Sequence, residues 1–178
     1  MRFLIALIML SLKLSSTETL LDRFQKFTSV ISVSSNNVEL SSGSISYDSG
    51  NFLYSITSPY SQIIAKIDNK VYVQDDDFKQ VFIYQGDYDF LIQQILDNEV
   101  GLQPYECATT CLRALVLDEN IQELVVEMSE NEISQISYLD AKNDAYVIKF
   151  LNFQLEAKNI SYNLPMDYEV IEQCLILN

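Results

Sequence analysis

From Val38 onward the apolar residues of this chain fall at every second position in short runs, with turn-forming residues between the runs. This period is the most restrictive feature of the sequence. A repeat of two sends alternate side chains to opposite faces of a strand, and a helix cannot satisfy it. VELSSGSISYDSG sets Gly43, Ile45 and Tyr47 on one face, NFLYSITSP sets Phe52, Tyr54 and Ile56, and SQIIAKID sets Ile63, Ala65 and Ile67. VYV and VFIY continue the pattern, and Asp48-Ser49-Gly50-Asn51, Ser58-Pro59 and Asp68-Asn69 supply the turns. Short strands spaced by about ten residues and joined by tight turns describe an antiparallel meander.

Such a sheet has an apolar face that needs a cover. Leu20, Leu21, Phe24, Phe27 and Ile31 recur at helical spacing with Asp22, Arg23, Gln25 and Lys26 between them, which predicts an amphipathic first helix. Phe90, Leu91, Gln94 and Ile95 predict a second helix over residues 88–98, closed by Gly101 and Pro104. Strand patterns resume in CLRALVLD, QELVVEM, ISQISYLD and AYVIKFLNF, and ISYNLPMDYEVIE finishes the chain. The pattern therefore describes an α+β fold: one curved antiparallel sheet of about nine to eleven strands with helices on its concave apolar face. A chain of 178 residues with no linker, repeat or low-complexity segment is expected to form one domain.

The candidate chemistry is sparse. VYVQDDDFKQVFIY holds Asp75, Asp76 and Asp77 in a row, but loops that bind hard cations alternate their ligands and turn on a glycine. Contiguous aspartates between two strand patterns read as a hairpin turn, because their side chains bond nearby backbone groups. There is no histidine, which removes Ser-His-Asp and Cys-His catalysis and every His-ligated metal. No catalytic residue, metal or cofactor is assigned. A secreted carboxylate enzyme would need two acids facing a cleft, and no motif places them. Cys107, Cys111 and Cys174 form neither a C-x-x-C redox pair nor a zinc set. On one extended strand Cys107 and Cys111 would lie about 13 Å apart at about 3.3 Å per residue, beyond the roughly 7 Å that a disulfide spans. A bond between them needs a turn or bulge; otherwise one pairs with Cys174 or the thiols stay reduced.

A net charge of −14 argues against nucleic acid and against adsorption to an anionic membrane. The N-terminus MRFLIALIMLSLKLSSTE has a basic start, a ten-residue apolar stretch broken only by Ser11, and small residues after it. That stretch is shorter than the roughly 20 residues of a membrane span and reads as a secretory signal over residues 1–16. The mature domain would cover 17–178. Loss of Arg2 and Lys13 from eleven basic residues leaves nine against 25 acids, a net of −16. A soluble monomer is expected.

From Gly43 to Val81 the chain resembles the periplasmic outer-membrane lipoprotein carrier family, LolA. The residues that carry the likeness are Gly43, then Phe52 through Pro59, Gln62-Ile63-Ile64, Asp68-Asn69-Lys70, Val71-Tyr72-Val73 and Gln80-Val81. The end of the chain fits as well, through Ile148 to Phe153, Ile160 to Pro165, and Val170-Ile171, and the segment from Leu21 to Ile31 is similar to the family's first helix. Two departures stand out: Asp48-Ser49-Gly50 replaces an Arg-Pro whose arginine touches the family's lid, and Tyr54 replaces the usual Trp.

The resemblance implies that this sheet is an unclosed, strongly curved antiparallel β-barrel with a helical lid over a hydrophobic cavity. It also implies a periplasmic chaperone that takes acylated lipoproteins from an inner-membrane ABC transporter and delivers them to an outer-membrane receptor. Phe24, Phe27, Ile45, Tyr47, Phe52, Tyr54, Ile56, Ile63, Ile67 and Leu91 are the candidate cavity and lid residues, and a dry pocket of several hundred Å³ is expected beneath the helices. The competing expectation is an exported lipid-sensing or protein-interaction module of the same fold, without a transfer role.

Overall fold

A computed structural model describes residues 18–86, 90–97, 99–115, 120–156 and 159–174. The expected signal peptide lies outside them. Twelve strands form one sheet in the order β12-β6-β5-β4-β3-β2-β1-β11-β10-β9-β8-β7. They are β1 (Lys26–Ser35), β2 (Val38–Asp48), β3 (Asn51–Ser58), β4 (Gln62–Ile67), β5 (Lys70–Asp75), β6 (Gln80–Gln85), β7 (Gln103–Tyr105), β8 (Thr110–Leu115), β9 (Ile121–Met128), β10 (Ile133–Asp140), β11 (Ala145–Gln154) and β12 (Glu169–Cys174). β2 to β6 form the expected meander, and β1 precedes them as a further antiparallel strand. The chain then leaves β6, reaches the far edge at β7, and returns through β8 to β11, which pairs with β1. β12 runs parallel to β6 and is the exception to an otherwise antiparallel sheet.

Turn chemistry fixes the hairpins. Asn36 and Asn37 lie at φ 50° and 67° between the paired Ser35 and Val38, and Ser49 and Gly50 at φ 49° and 88° between Asp48 and Asn51. Two-residue loops with both residues left-handed match the twist of the strands they join. The aspartate run is the β5–β6 turn. Asp75 Oδ1 accepts from the backbone N–H of Asp77 at 3.0 Å and of Phe78 at 3.1 Å. Asp76 does more than meet water: it accepts from Ser61 (2.6 Å), Gln74 (2.6 Å) and Tyr168 (2.9 Å). These bonds hold its carboxyl below the usual carboxylate range.

The expected first helix is corrected. Only α1 (Glu18–Leu21) and a 3-10 turn (Asp22–Phe24) are helical, and Phe27 and Ile31 belong to strand β1. A spacing of four suits both periods, since it is about one helical turn and also two strand repeats. The β-branched run around Phe27 and Ile31 then favours the strand. The second helix, α2 (Leu91–Leu96), is present but short. The helical cover of the sheet is thus far smaller than expected, and the strand count exceeds it through β1 and β7.

One face of the sheet carries the core, which joins Phe24, Phe27, Tyr47 and Phe52 to Leu124, Val126, Ile136 and Phe150. A bulge in β11 assembles its aromatic centre. Asn152 sits at φ 53° where the register slips, so Phe150 and Phe153, three apart, both turn inward. Phe153 stacks on Phe27 at 4.7 Å and meets Phe24 edge-on at 5.7 Å, while Tyr47 stacks on the other side of Phe27 at 5.5 Å. The buried Ser29 hydroxyl donates to the Leu151 carbonyl at 2.9 Å beside the bulge.

The outer face of β4–β6 has a cover of its own. Tyr162, in the segment that leads to β12, lies 4.9 Å from the Tyr72 ring and donates to Gln74 at 2.9 Å. Ala65, Val81 and Ile83 are buried there. Ile63 pairs with Ser55 and Gln74, and Ile67 with Lys70, so both share this outer face with Ala65 and Tyr72 and not the core face. Their expected place in the cavity is corrected for that reason.

Gly43 marks a close approach between strands. A Cβ there would lie 2.0 Å from the Ser55 carbonyl oxygen, a backbone atom that cannot swing aside. Gly43→Ala should lower the stability read from urea midpoints by about 1–3 kcal/mol, and an unchanged midpoint would show that the strands can part at no cost.

Candidate functional site

Under α2 the core face leaves an apolar cavity of about 200 Å³. Ile31, Ile45, Phe52, Tyr54 and Ile64 reach it from β1 to β4, and Ile136, Ile148 and Phe150 from β10 and β11. Phe90, Leu91 and Ile92 close it from above. The floor follows from register, because Ile45 stands opposite Tyr54, Tyr54 opposite Ile64, and Ile148 opposite Ile136. Alternation sends all of them to one face. Its volume falls short of the several hundred Å³ expected from sequence and of the roughly 300–1,000 Å³ typical of small-molecule pockets.

Short-range contacts hold α2 in place. Phe90 meets Phe52 edge-on at 4.6 Å, Gln25 Nε2 donates to the Leu96 carbonyl at 3.2 Å, and the Nζ of the buried Lys66 donates to Gln93 Oε1. Ile95 and Leu96 are buried. The helix has one turn and a half of backbone, so its position rests on these side chains more than on its own hydrogen bonds.

Of the ten candidate residues, Ile45, Phe52, Tyr54 and Leu91 line this cavity. Phe24, Phe27 and Tyr47 pack in the aromatic centre beside it, fully buried. Ile56 shares the face but lines a separate open groove further along β3, and Ile63 and Ile67 lie on the opposite face. Ile64, Ile136, Ile148, Phe90 and Ile92 are lining residues that the sequence reasoning missed. Ile148 and Phe150 carry a signal that could have found them, a plain alternation. Ile133 and Ile136 carry none, since they stand three positions apart and only a register slip between them puts both inside.

The cysteines resolve to one bond. Cys107 and Cys111 are joined, with Cα atoms 6.0 Å apart, because a bend over residues 107–109 precedes β8. The Cys174 side chain lies outside the described residues. The bond closes the hairpin between the three-residue β7 and β8, where Arg113 also lies over the Tyr105 ring at 4.9 Å and pairs with Glu123 at 2.7 Å. Among the described residues no three metal-ligating side chains come together.

Burial, then the Asp97 carboxylate, pushes the Tyr47 hydroxyl up to about 12. The Gly50 backbone acts weakly the other way. That contact lacks hydrogen-bond geometry, and the buried hydroxyl has no bonded partner among the described residues.

No family model matches the chain, and no curated protein does. Among solved structures, an uncharacterized conserved protein from Thermus thermophilus superposes with a TM-score of 0.62 at 13% identity, over 89% of this chain and 99% of its own. MucB, solved in complex with MucA(peri), gives a TM-score of 0.46 at 11% identity, over 81% of this chain and 60% of its own. At such identity the first likeness concerns the fold alone, which this chain shares with the Thermus protein.

Tyr47 also sets a pH response. The folded state keeps its proton to about pH 12 while the unfolded chain loses it near pH 10, so stability falls as pH rises between those values. Tyr47→Phe should flatten that part of the fall and, at pH 7, leave the thermal midpoint unchanged or raised, because it removes an unpaired buried hydroxyl. A lowered midpoint at pH 7 would mean that the hydroxyl is bonded in solution.

Proposed function

We propose that this protein binds acyl chains on its core face beneath α2 and acts as an exported lipoprotein carrier of the LolA kind. The observation that carries the reading is the cavity: its lining is aliphatic and aromatic from both halves of the sheet, and a single short helix closes it. The ordered likeness from Gly43 to Ile171 supports the same reading. Each methylene taken from water there contributes about 0.8 kcal/mol, so a chain of ordinary length is held without any polar anchor.

In this reading the cavity of about 200 Å³ is the resting form, too small for a whole acyl chain. Entry of a chain requires α2 to lift, and the contacts that yield are Phe90 on Phe52, Gln93 on Lys66 and Gln25 on the Leu96 carbonyl. Lys66 and Gln25 take the lid-holding part that the family gives to its arginine. In this reading cargo comes from an inner-membrane ABC transporter and passes to an outer-membrane receptor, with the protein in the periplasm and no covalent step.

The small closed volume favours a second reading, in which the same site senses a lipid for a partner protein without transferring it. Incubation with inner-membrane vesicles that hold an acylated lipoprotein and its releasing transporter separates the two. A carrier brings lipoprotein into the supernatant; a sensor leaves it in the vesicles. Displacement of a fluorescent fatty acid tests the site itself. Leu91→Glu should weaken binding by about tenfold or more, since it places a carboxylate in the apolar lining. Equal binding by this variant would remove the cavity from the account.

A further inference from the structure

At the end of β3 away from α2, the core face opens into a groove of about 600 Å³. Leu40, Ile56, Pro59, Tyr60 and Phe78 form its apolar walls, and Asp75 and Asp77 stand among them. Two register breaks shape it. Leu40 has no partner between Ser41 and Glu39 in the pairing with β1, and Thr57 has none between Ile56 and Ser58 in the pairing with β2. Bulges of this kind bend strand ends and re-aim their side chains. The Asp75 carboxylate, bonded to the backbone of Asp77 and Phe78, fixes the loop that presents the second charge and the ring. Tyr60 and Phe78 are 70% and 74% exposed and Leu40 46%, so the walls stand open to water.

We propose that this groove docks a basic polypeptide segment with interleaved apolar side chains. Such a segment complements the groove in both charge and shape. Among the described residues no lysine or arginine lines the groove, and the nearby Lys79 is held by Asp167 at 3.2 Å. An incoming Lys or Arg can set its charge against Asp75 and Asp77 while its stem lies on the exposed rings. Apolar side chains of the same segment fill the space beside Leu40 and Ile56. An acyl chain fits worse, because it would strip water from two carboxylates and return no partner. An anionic membrane surface and a second copy of this chain are both repelled by a net charge of −14.

The test titrates the full, isotope-labelled chain with a short peptide that alternates lysine with leucine and one tryptophan, and with its twin that carries glutamate for lysine. The lysine peptide should bind saturably below about 1 mM, shift the amides around Leu40, Tyr60 and Phe78, and weaken as salt rises from about 50 to 500 mM. Asp75→Asn with Asp77→Asn keeps a side-chain acceptor in the turn and removes both charges; it should weaken binding by about three- to tenfold. Tyr60→Ala should weaken it too, with the fold checked by the unchanged amide pattern elsewhere. The proposal is overturned if the lysine peptide does not saturate, if the glutamate twin binds as well, or if the shifts map elsewhere. It is equally overturned if sedimentation shows a dimer that buries the groove, or if phosphatidylglycerol vesicles and not the peptide perturb these amides.

Discussion

The need to cover one apolar face governs this structure. Twelve strands place a continuous layer of Leu, Ile, Val and Phe on the core face, and α2 supplies six residues to lie over it. Helices of that size cannot seal a sheet this wide. The residues before β1 and three neighbouring strands, β2, β1 and β11, therefore fill the middle of this face with their own rings, Phe24, Phe27, Tyr47, Phe150 and Phe153. Beyond the rings, under α2, the cavity begins. The cavity is thus the part of the core face that neither the rings nor α2 fill.

This arrangement explains how far the sequence could be read. The β2 to β6 meander is legible because its turns carry their own chemistry, with left-handed Ser49-Gly50 and Asp68 between alternating runs. Phe27 and Ile31 read as helix because a spacing of four serves both a helix and a strand. Ile63 and Ile67 read as cavity residues because β4 is apolar on both sides. Ile64 points to the cavity, while Ala65 lies beneath the cover that Tyr162 and its neighbours lay over the outer face. A strand with two buried faces has no alternation to read. The bulges at Asn152 and between Ile133 and Gln135 break the period where the site is built, so Phe153 and Ile136 cannot be placed by counting.

The aspartates are divided by task more finely than a turn requires. Asp75 holds the loop backbone, Asp76 ties the loop to Ser61, Gln74 and Tyr168, and Asp77 faces water at the groove. The first two keep Phe78 and the C-terminal crossing in position, so the acidic run is structural at its core and available for recognition at its edge. Lys66, beneath α2, has the converse role: a charged group sunk in an apolar face, which contributes to closure through Gln93.

The central claim is that an apolar chain enters between α2 and the sheet. It is tested most directly by isotope-filtered nuclear Overhauser spectra of the methyl-labelled protein with an acylated peptide. The account predicts cross-peaks from the acyl methylenes to Ile45, Ile64, Leu91 and Ile136, with the Phe90 and Phe52 rings moving apart on binding. Cross-peaks confined to the outer face, or an acyl chain that leaves these methyl groups unmoved at saturation, would contradict it.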